Sequence, residues 1–193
     1  MRSVMISIRT TLVFMVLCGL LYPLFMVAVG RIAFPFQAQG EMLRGSSGRI
    51  VGSQLIAQAV TAPGLFHPRP SAVDYNGDGS GGSNLGPTNP ALIAEIRKNL
   101  AKVLKDNPGL TASRVTPGMV ESSASGLDPT ISVKDAMLQI PRIAAATGLS
   151  RAQLQNVVLE NERGRFLGIF GEPRINVLDV DLFLLQIQRR PIR

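Results

Sequence analysis

The sequence predicts an α+β protein: one N-terminal transmembrane helix followed by a single mixed α/β soluble domain with a long Pro/Gly-rich loop. Three observations lead there. Residues 10–30 read TTLVFMVLCGLLYPLFMVAVG, with no ionisable side chain except the phenol of Tyr22 and the thiol of Cys18. Residues 61–90 hold six glycines and five prolines. Beyond them, apolar residues return at helical spacing, interrupted by short β-branched runs.

The N-terminal run comes first. As a helix, about 20 residues rise about 30 Å, the depth of a bilayer's hydrocarbon core. A helix also pairs its own backbone groups where water is absent. Pro23 removes one backbone donor and is expected to kink the span. A cleaved signal peptide is the alternative, since Ala28-Val29-Gly30 resembles a small-x-small cleavage site. Two features favour a retained anchor. The apolar stretch outruns a signal core of about 7–15 residues, and Ile32 to Phe36 continue it as an interface anchor would.

The expected organisation is therefore a cytoplasmic leader over 1–9, a transmembrane helix over 10–30, a connecting segment over 31–52 and an extracytoplasmic soluble domain over 53–193. Arg2 and Arg9 precede the span with no acid among them, which favours a cytoplasmic N-terminus. Arg31, Arg44 and Arg49 follow it, so charge alone does not set the orientation.

Within the soluble part, Gln37 to Gly52 reads as a turn-rich lead-in containing Gly40, Gly45, Ser46-Ser47 and Gly48. Ser53 to Val60 is a short helix candidate. The 61–90 stretch is expected to be irregular, and long irregular segments inside compact domains are usually functional. Asn89 and Pro90 then open a helix as N-cap and first turn, with Leu92, Ile96, Leu100, Val103 and Leu104 on one face; Asn107-Pro108-Gly109 ends it. Ser132 and Asp135 resemble a capping box opening the next helix, which Pro141 is expected to kink or divide. Ser150 opens another. Strand candidates lie near Val51, at Val120–Ser123 and at Leu167–Phe170. The run 175–187 leans to helix.

Composition excludes several classes. With 46% hydrophobic and 17% charged residues the chain is not disordered. One cysteine excludes an intrachain disulfide, and Cys18 with the single His67 cannot build a structural zinc site. No tryptophan and 5% aromatic residues argue against base-stacking platforms. The formal charge of +7 is dispersed, apart from Arg189-Arg190 and Arg193, so no nucleic acid partner is expected.

Three motif-like strings fail on inspection. Gly77-x-Gly79-x-x-Gly82 fits a dinucleotide pattern, yet the following Gly86-Pro87 cannot start the helix that would hold a pyrophosphate. Gly81-x4-Gly86-Pro87-Thr88 has phosphate-loop spacing with proline in the lysine position. Asp74-x-Asn76-x-Asp78-Gly79 starts like a calcium loop but places Leu85 where a bidentate glutamate belongs. There is no G-x-S-x-G and no nucleophile–base set, so neither catalytic residues nor a metal site are expected.

Longer strings are more specific. Tyr22-Pro23-Leu24, FPFQAQG (34–40), GSQLIAQ (52–58), FHPRPSA (66–72), SGGSNLGPTNP (80–90), ASGLDP (124–129), QIPRIA (139–144) and GEPRINV (171–177) occur in that order. Over nearly the whole chain the sequence thereby resembles the KdpC family, which belongs to the Kdp high-affinity potassium-transporting ATPase. It departs from the family pattern at Ala57, at Glu121-Ser122-Ser123, at Thr130 and at Asp179 and Asp181.

The resemblance implies a non-catalytic accessory subunit of the bacterial inner membrane. Its partners would be a channel-like potassium-conducting subunit, a P-type ATP-hydrolysing subunit and the lipid bilayer. It would carry no cofactor of its own, with ATP and potassium handled by the complex. The family role includes acting as a catalytic chaperone that raises the pump subunit's ATP affinity; its nucleotide-contact candidates here would be Gln58, Ser80, Gly81, Gly82 and Ser83. An extracytoplasmic domain cannot touch cytoplasmic ATP, so such an effect has to travel as a coupling free energy between conformational states. Candidate docking residues are Phe66, His67, Arg69, Asn84 and Asn89, on a loop whose prolines lower its unfolded-state entropy. The alternatives are a membrane-tethered extracytoplasmic enzyme or ligand-binding domain and a carbonyl-lined potassium gate.

Overall fold

A computed structural model describes residues 1–45 and 48–189, with the side chain of Arg189 outside the description. The expected Ser46-Ser47 turn and the basic residues Arg190 and Arg193 lie outside the described residues. The chain forms two compact units, Met1–Met42 and Leu43–Arg193.

The first unit is helical from the second residue. Helix α1 (Arg2–Val16) runs into a wide π-turn (Leu17–Leu21) and on into α2 (Tyr22–Ala33). The continuous Arg2–Ala33 stretch is long and apolar enough to cross a membrane, and none of its residues is buried. It starts eight residues earlier than the apolar run alone suggested. The π-turn has a cause in the sequence. Proline at 23 has no N–H for an α-helical bond and its ring crowds the preceding turn. The backbone widens just before it, and the Tyr22 N–H reaches back to the Leu17 carbonyl. A single-turn helix α3 (Pro35–Ala38) follows.

Two short strands, β1 (Met42–Arg44) and β2 (Ile50–Ser53), then pair as a two-stranded sheet. The expected strand near Val51 is present. The expected helix over 53–60 is not. Ser53 Oγ accepts from the Leu55 N–H, and the Ala57 N–H donates to the Leu127 carbonyl at 2.8 Å. Both bonds draw backbone away from helical pairing, which eight residues could not sustain alone. From Gln54 to Asn89 the chain forms turns and extended stretches.

Order resumes at α4 (Pro90–Asp106), capped by Asn89 Oδ1 on the Ala91 N–H at 2.9 Å and ended at Asn107. A 3-10 turn (Ala112–Arg114) and the short α5 (Pro117–Val120) come next. The expected strand at 120–123 is therefore absent: Pro117 starts a helical turn, and Val120 is buried at its end. Strand β3 (Thr130–Ser132) leads directly into α6 (Val133–Thr147). Ser132 caps α6 through the Asp135 N–H at 3.0 Å, but the Asp135 carboxylate turns away to accept from Thr116 Oγ1, so the box is half closed. Pro141 does not divide α6, which runs to a left-handed Gly148. Helix α7 (Arg151–Glu160) opens with a complete Ser150–Gln153 capping box.

The chain returns through β4 (Arg174–Asn176) into α8 (Val177–Arg189). Strand β4 pairs antiparallel with β3, Ile131 opposite Ile175. The apolar run 167–170 is no strand: Phe166 and Phe170 bridge across a turn instead. The core lies where α6, α7, α8 and the β3–β4 pair meet, around Ile143, Leu154, Val158, Ile175, Val180 and Leu184.

Candidate functional site

Helix α6 buries more than apolar residues. Ala136, Ile140 and Ile143 face the core, and Gln139 and Arg142 lie beside them, themselves buried. A guanidinium inside a core is tolerated only where its donors are matched. Here they are. Arg142 Nη1 donates to the Pro63 and Leu65 carbonyls at 2.6 and 2.9 Å and to that of Ala62 at 3.4 Å. Nη2 donates to Gln139 Oε1 at 2.7 Å, and Nε to Asn107 Oδ1 at 3.1 Å.

The same two side chains fasten the irregular segment to the domain. Gln139 grips the His67 backbone on both sides, accepting its N–H at 2.8 Å and donating to its carbonyl at 3.1 Å. Asp181 Oδ1 on α8 accepts the Phe66 N–H at 2.8 Å. Burial raises the Asp181 carboxyl to about 8, although the Phe66 bond and the nearby Arg142 charge oppose this. His67 moves the other way: burial and then the Arg142 charge lower it below 6.5. It stands neutral at pH 7, its Nε2 within 3.1 Å of the Ala62 carbonyl.

A second fastening sits further along. Ser71 Oγ donates to the Gly126 carbonyl at 2.6 Å and accepts the Tyr75 N–H at 2.9 Å. Ser80 Oγ and the Gly81 N–H both donate to the Ser125 carbonyl, at 3.0 and 2.9 Å. Gly82 is needed for this approach, because a Cβ there would lie 3.0 Å from the Ala124 carbonyl. A third point joins Gln54, just past β2, to the end of β4 and the start of α8: Asn176 Nδ2 donates to the Gln54 carbonyl at 2.8 Å, and Gln54 Nε2 to Asp179 Oδ1 at 2.6 Å.

The sequence-derived candidates are thereby dispersed. Phe66 has no exposed surface and belongs to the core cluster, so its ring offers no outer face for docking. The Asn89 side chain caps α4. The amide of Gln58 lies against Gly52, where a Cβ would collide with it. Asn84 holds a left-handed backbone at φ 54, and Ser83 is half-buried. The Ser80 hydroxyl and the Gly81 N–H, which a phosphate would have to claim, are engaged by Ser125. Arg69 Nη1 stands 3.7 Å from Asp128 Oδ2, and its buried Nε has no acceptor among the described residues.

Two spaces adjoin these fastenings. A cavity of about 100 Å³ is lined by His67, Tyr75, Lys102, Asp106, Asp135 and Gln139, among others. That volume suits about three water molecules, well below the roughly 300 Å³ of a small-molecule pocket. An open groove of about 600 Å³ brings Arg69 and Ser80 together with Leu55, Ile56 and the 123–129 stretch of chain. Leu55 and Ile56 are exposed on its lip. Among the described residues no group of three His, Cys, Asp or Glu side chains is placed to hold a metal ion.

Gln139, Arg142 and Asp181 are positions that motif reasoning misses. A signal is present in QIPRIA: Gln139 and Arg142, three apart, fall among the positions that bury Ala136, Ile140 and Ile143.

Comparison with known proteins finds matches over nearly the whole chain. The family model for K+-transporting ATPase, c chain (KdpC), matches residues 4–186. The potassium-transporting ATPase KdpC subunit of Caldanaerobacter subterraneus subsp. tengcongensis is 48% identical over 180 residues, which is 93% of each chain. That of Gloeobacter violaceus is 40% identical, covering 95% of each chain. That of Geobacter sulfurreducens is 42% identical over 95% of this chain and 97% of its own.

Proposed function

The chain belongs to the KdpC family of potassium-transporting ATPase subunits, and from that membership we propose that it is a non-catalytic accessory subunit anchored in the inner membrane by Arg2–Ala33. Its N-terminus is cytoplasmic and the domain from Leu43 onward is extracytoplasmic. The domain docks on the channel-like subunit, and the assembly holds that subunit to the P-type, ATP-hydrolysing one. ATP and potassium belong to the complex, and any rise in ATP affinity reaches the pump subunit as coupling between conformational states.

The observation that carries this reading is the family match across residues 4–186, anchor included. The groove beside Leu55, Ile56, Arg69 and Ser80 suits docking, since an exposed apolar lip beside charged groups is a common interface composition. Protease added to intact spheroplasts tests the sidedness. Digestion of the domain from outside is the expected result, and protection until lysis overturns it. Replacing residues 80–84 with an alanine-rich segment tests the docking. Subunits that still co-purify and transport potassium normally would remove this loop from the interface.

A further inference from the structure

Outside these fastenings one surface stands apart. Past α7 the chain leaves the domain as a hairpin: Arg163 and Arg174 exchange both backbone bonds, at 2.8 and 3.1 Å. Phe166 and Phe170 then close the tip, their N–H and carbonyl groups paired at 2.9 and 3.0 Å. Phe166, Leu167, Ile169 and Phe170 are 72%, 74%, 72% and 63% exposed. None of the four belongs to the core cluster or packs against it.

The tip is also held in a conformation that the side chains themselves disfavour. Leu167 lies at φ 53, the left-handed region, followed by Gly168 at φ 75. The backbone bonds of the hairpin hold the leucine in this conformation.

At about 200 Å² for each whole side chain, the exposed fraction amounts to about 550 Å² of apolar surface. This is the upper end of what a free monomer shows, and more than half of the roughly 800 Å² each partner buries in a stable interface.

The surrounding charges discriminate between occupants. Arg163 is paired with Asp179 at 2.7 Å. The other charges of the 162–174 stretch are all exposed, two basic (Arg165 and Arg174) and two acidic (Glu162 and Glu172). The rim therefore carries no net charge. An anionic lipid surface is drawn to a cationic surround and repels carboxylates. An apolar centre with a rim of both signs is instead the composition of a protein interface.

We propose that the Phe166–Phe170 hairpin is a plug that seats in an apolar socket on another subunit of the same ATPase, a socket rimmed by both acidic and basic side chains. The inference rests on the accessory-subunit reading and adds a docking element separate from the 80–84 loop.

The test uses the whole complex in its membrane. A photo-crosslinking amino acid in place of Leu167 is expected to give an adduct with another subunit. An adduct with lipid, an adduct with a second copy of this chain, or none at all overturns the plug. Two further variants separate docking from folding. Leu167→Asp is expected to reduce retention of the chain in the detergent-solubilised complex at least tenfold. Leu167→Gly is expected to weaken retention while leaving the melting temperature unchanged or higher, because glycine accepts positive φ freely. Full retention of both variants overturns the plug and leaves the subunit reading standing. A wild-type chain that never co-purifies with the other subunits removes the subunit reading itself.

Discussion

Replacing Arg142 with alanine should detach residues 62–67 from the domain and lower its stability by about 3–5 kcal/mol, the usual cost of breaking a buried, hydrogen-bonded charge site. The size follows from what the guanidinium holds. Its removal strands the Pro63 and Leu65 carbonyls, Gln139 Oε1 and Asn107 Oδ1, and each buried orphan costs about 1–3 kcal/mol before relaxation and water entry recover part. For a protein of this size the loss corresponds to a fall of roughly 6–20 °C in melting temperature. Thermal melts of the full chain in detergent, followed by circular dichroism, measure it. Hydrogen exchange adds a local readout. The Phe66 and His67 amides, bonded to Asp181 and Gln139, should be slow in the wild type and fast in Arg142→Ala. Arg142→Lys should recover little, because an ammonium cannot reproduce the planar fork that serves five acceptors. Melting within about 2 °C of wild type, with both amides still protected, would refute the view that Arg142 holds this segment.

The buried Asp181 gives a pH signature. Its folded value of about 8 lies above 3.8, so the folded state keeps a proton that the unfolded chain releases, and stability falls as pH rises through that window. Between about pH 7 and 8, where His67 is largely neutral in both states, the loss should be about 1 kcal/mol; Asp181→Asn should abolish it, which paired melts at the two pH values check. Gly126→Ala forces a Cβ to within 2.6 Å of Val73 Cγ2 and 2.7 Å of the Gly81 carbonyl at φ 69, and should cost about 2–3 kcal/mol in urea unfolding. Gly86→Ala, with nothing within 4 Å, should be neutral in the same assay. Ser150→Ala removes the α7 cap and should cost about 1 kcal/mol, again read from urea midpoints.

What the sequence discloses and what it hides divide along range of interaction. The helices that open at Asn89, Ser132 and Ser150 are legible because caps and apolar spacing are local: each start is set by side chains within three residues. Of the strands, only the one near Val51 is. The partners Thr130 and Asn176 lie 46 positions apart, and three-residue strands carry too little pattern to announce themselves. The apolar run at 167–170 misleads for the same reason. Hydrophobicity suggests a strand, whereas the backbone turns and leaves those side chains outside. The fastening of the 62–67 segment is legible only in part. Polar residues in QIPRIA are visible, but the carbonyls they serve lie 72–79 positions earlier in the chain.

The π-turn at Leu17–Leu21 has a consequence for any helix lying alongside. One additional residue in a turn sets every later side chain back by about 100° around the axis relative to α-helical counting. A stripe followed by heptad or 3.6-residue counting from Val4 through Val13 is thus out of phase beyond Tyr22. A neighbour that grips the lower half along one line of residues meets a different line above. Interhelical contacts mapped by scanning mutagenesis should accordingly break into two offset series, with the discontinuity at Cys18–Leu21.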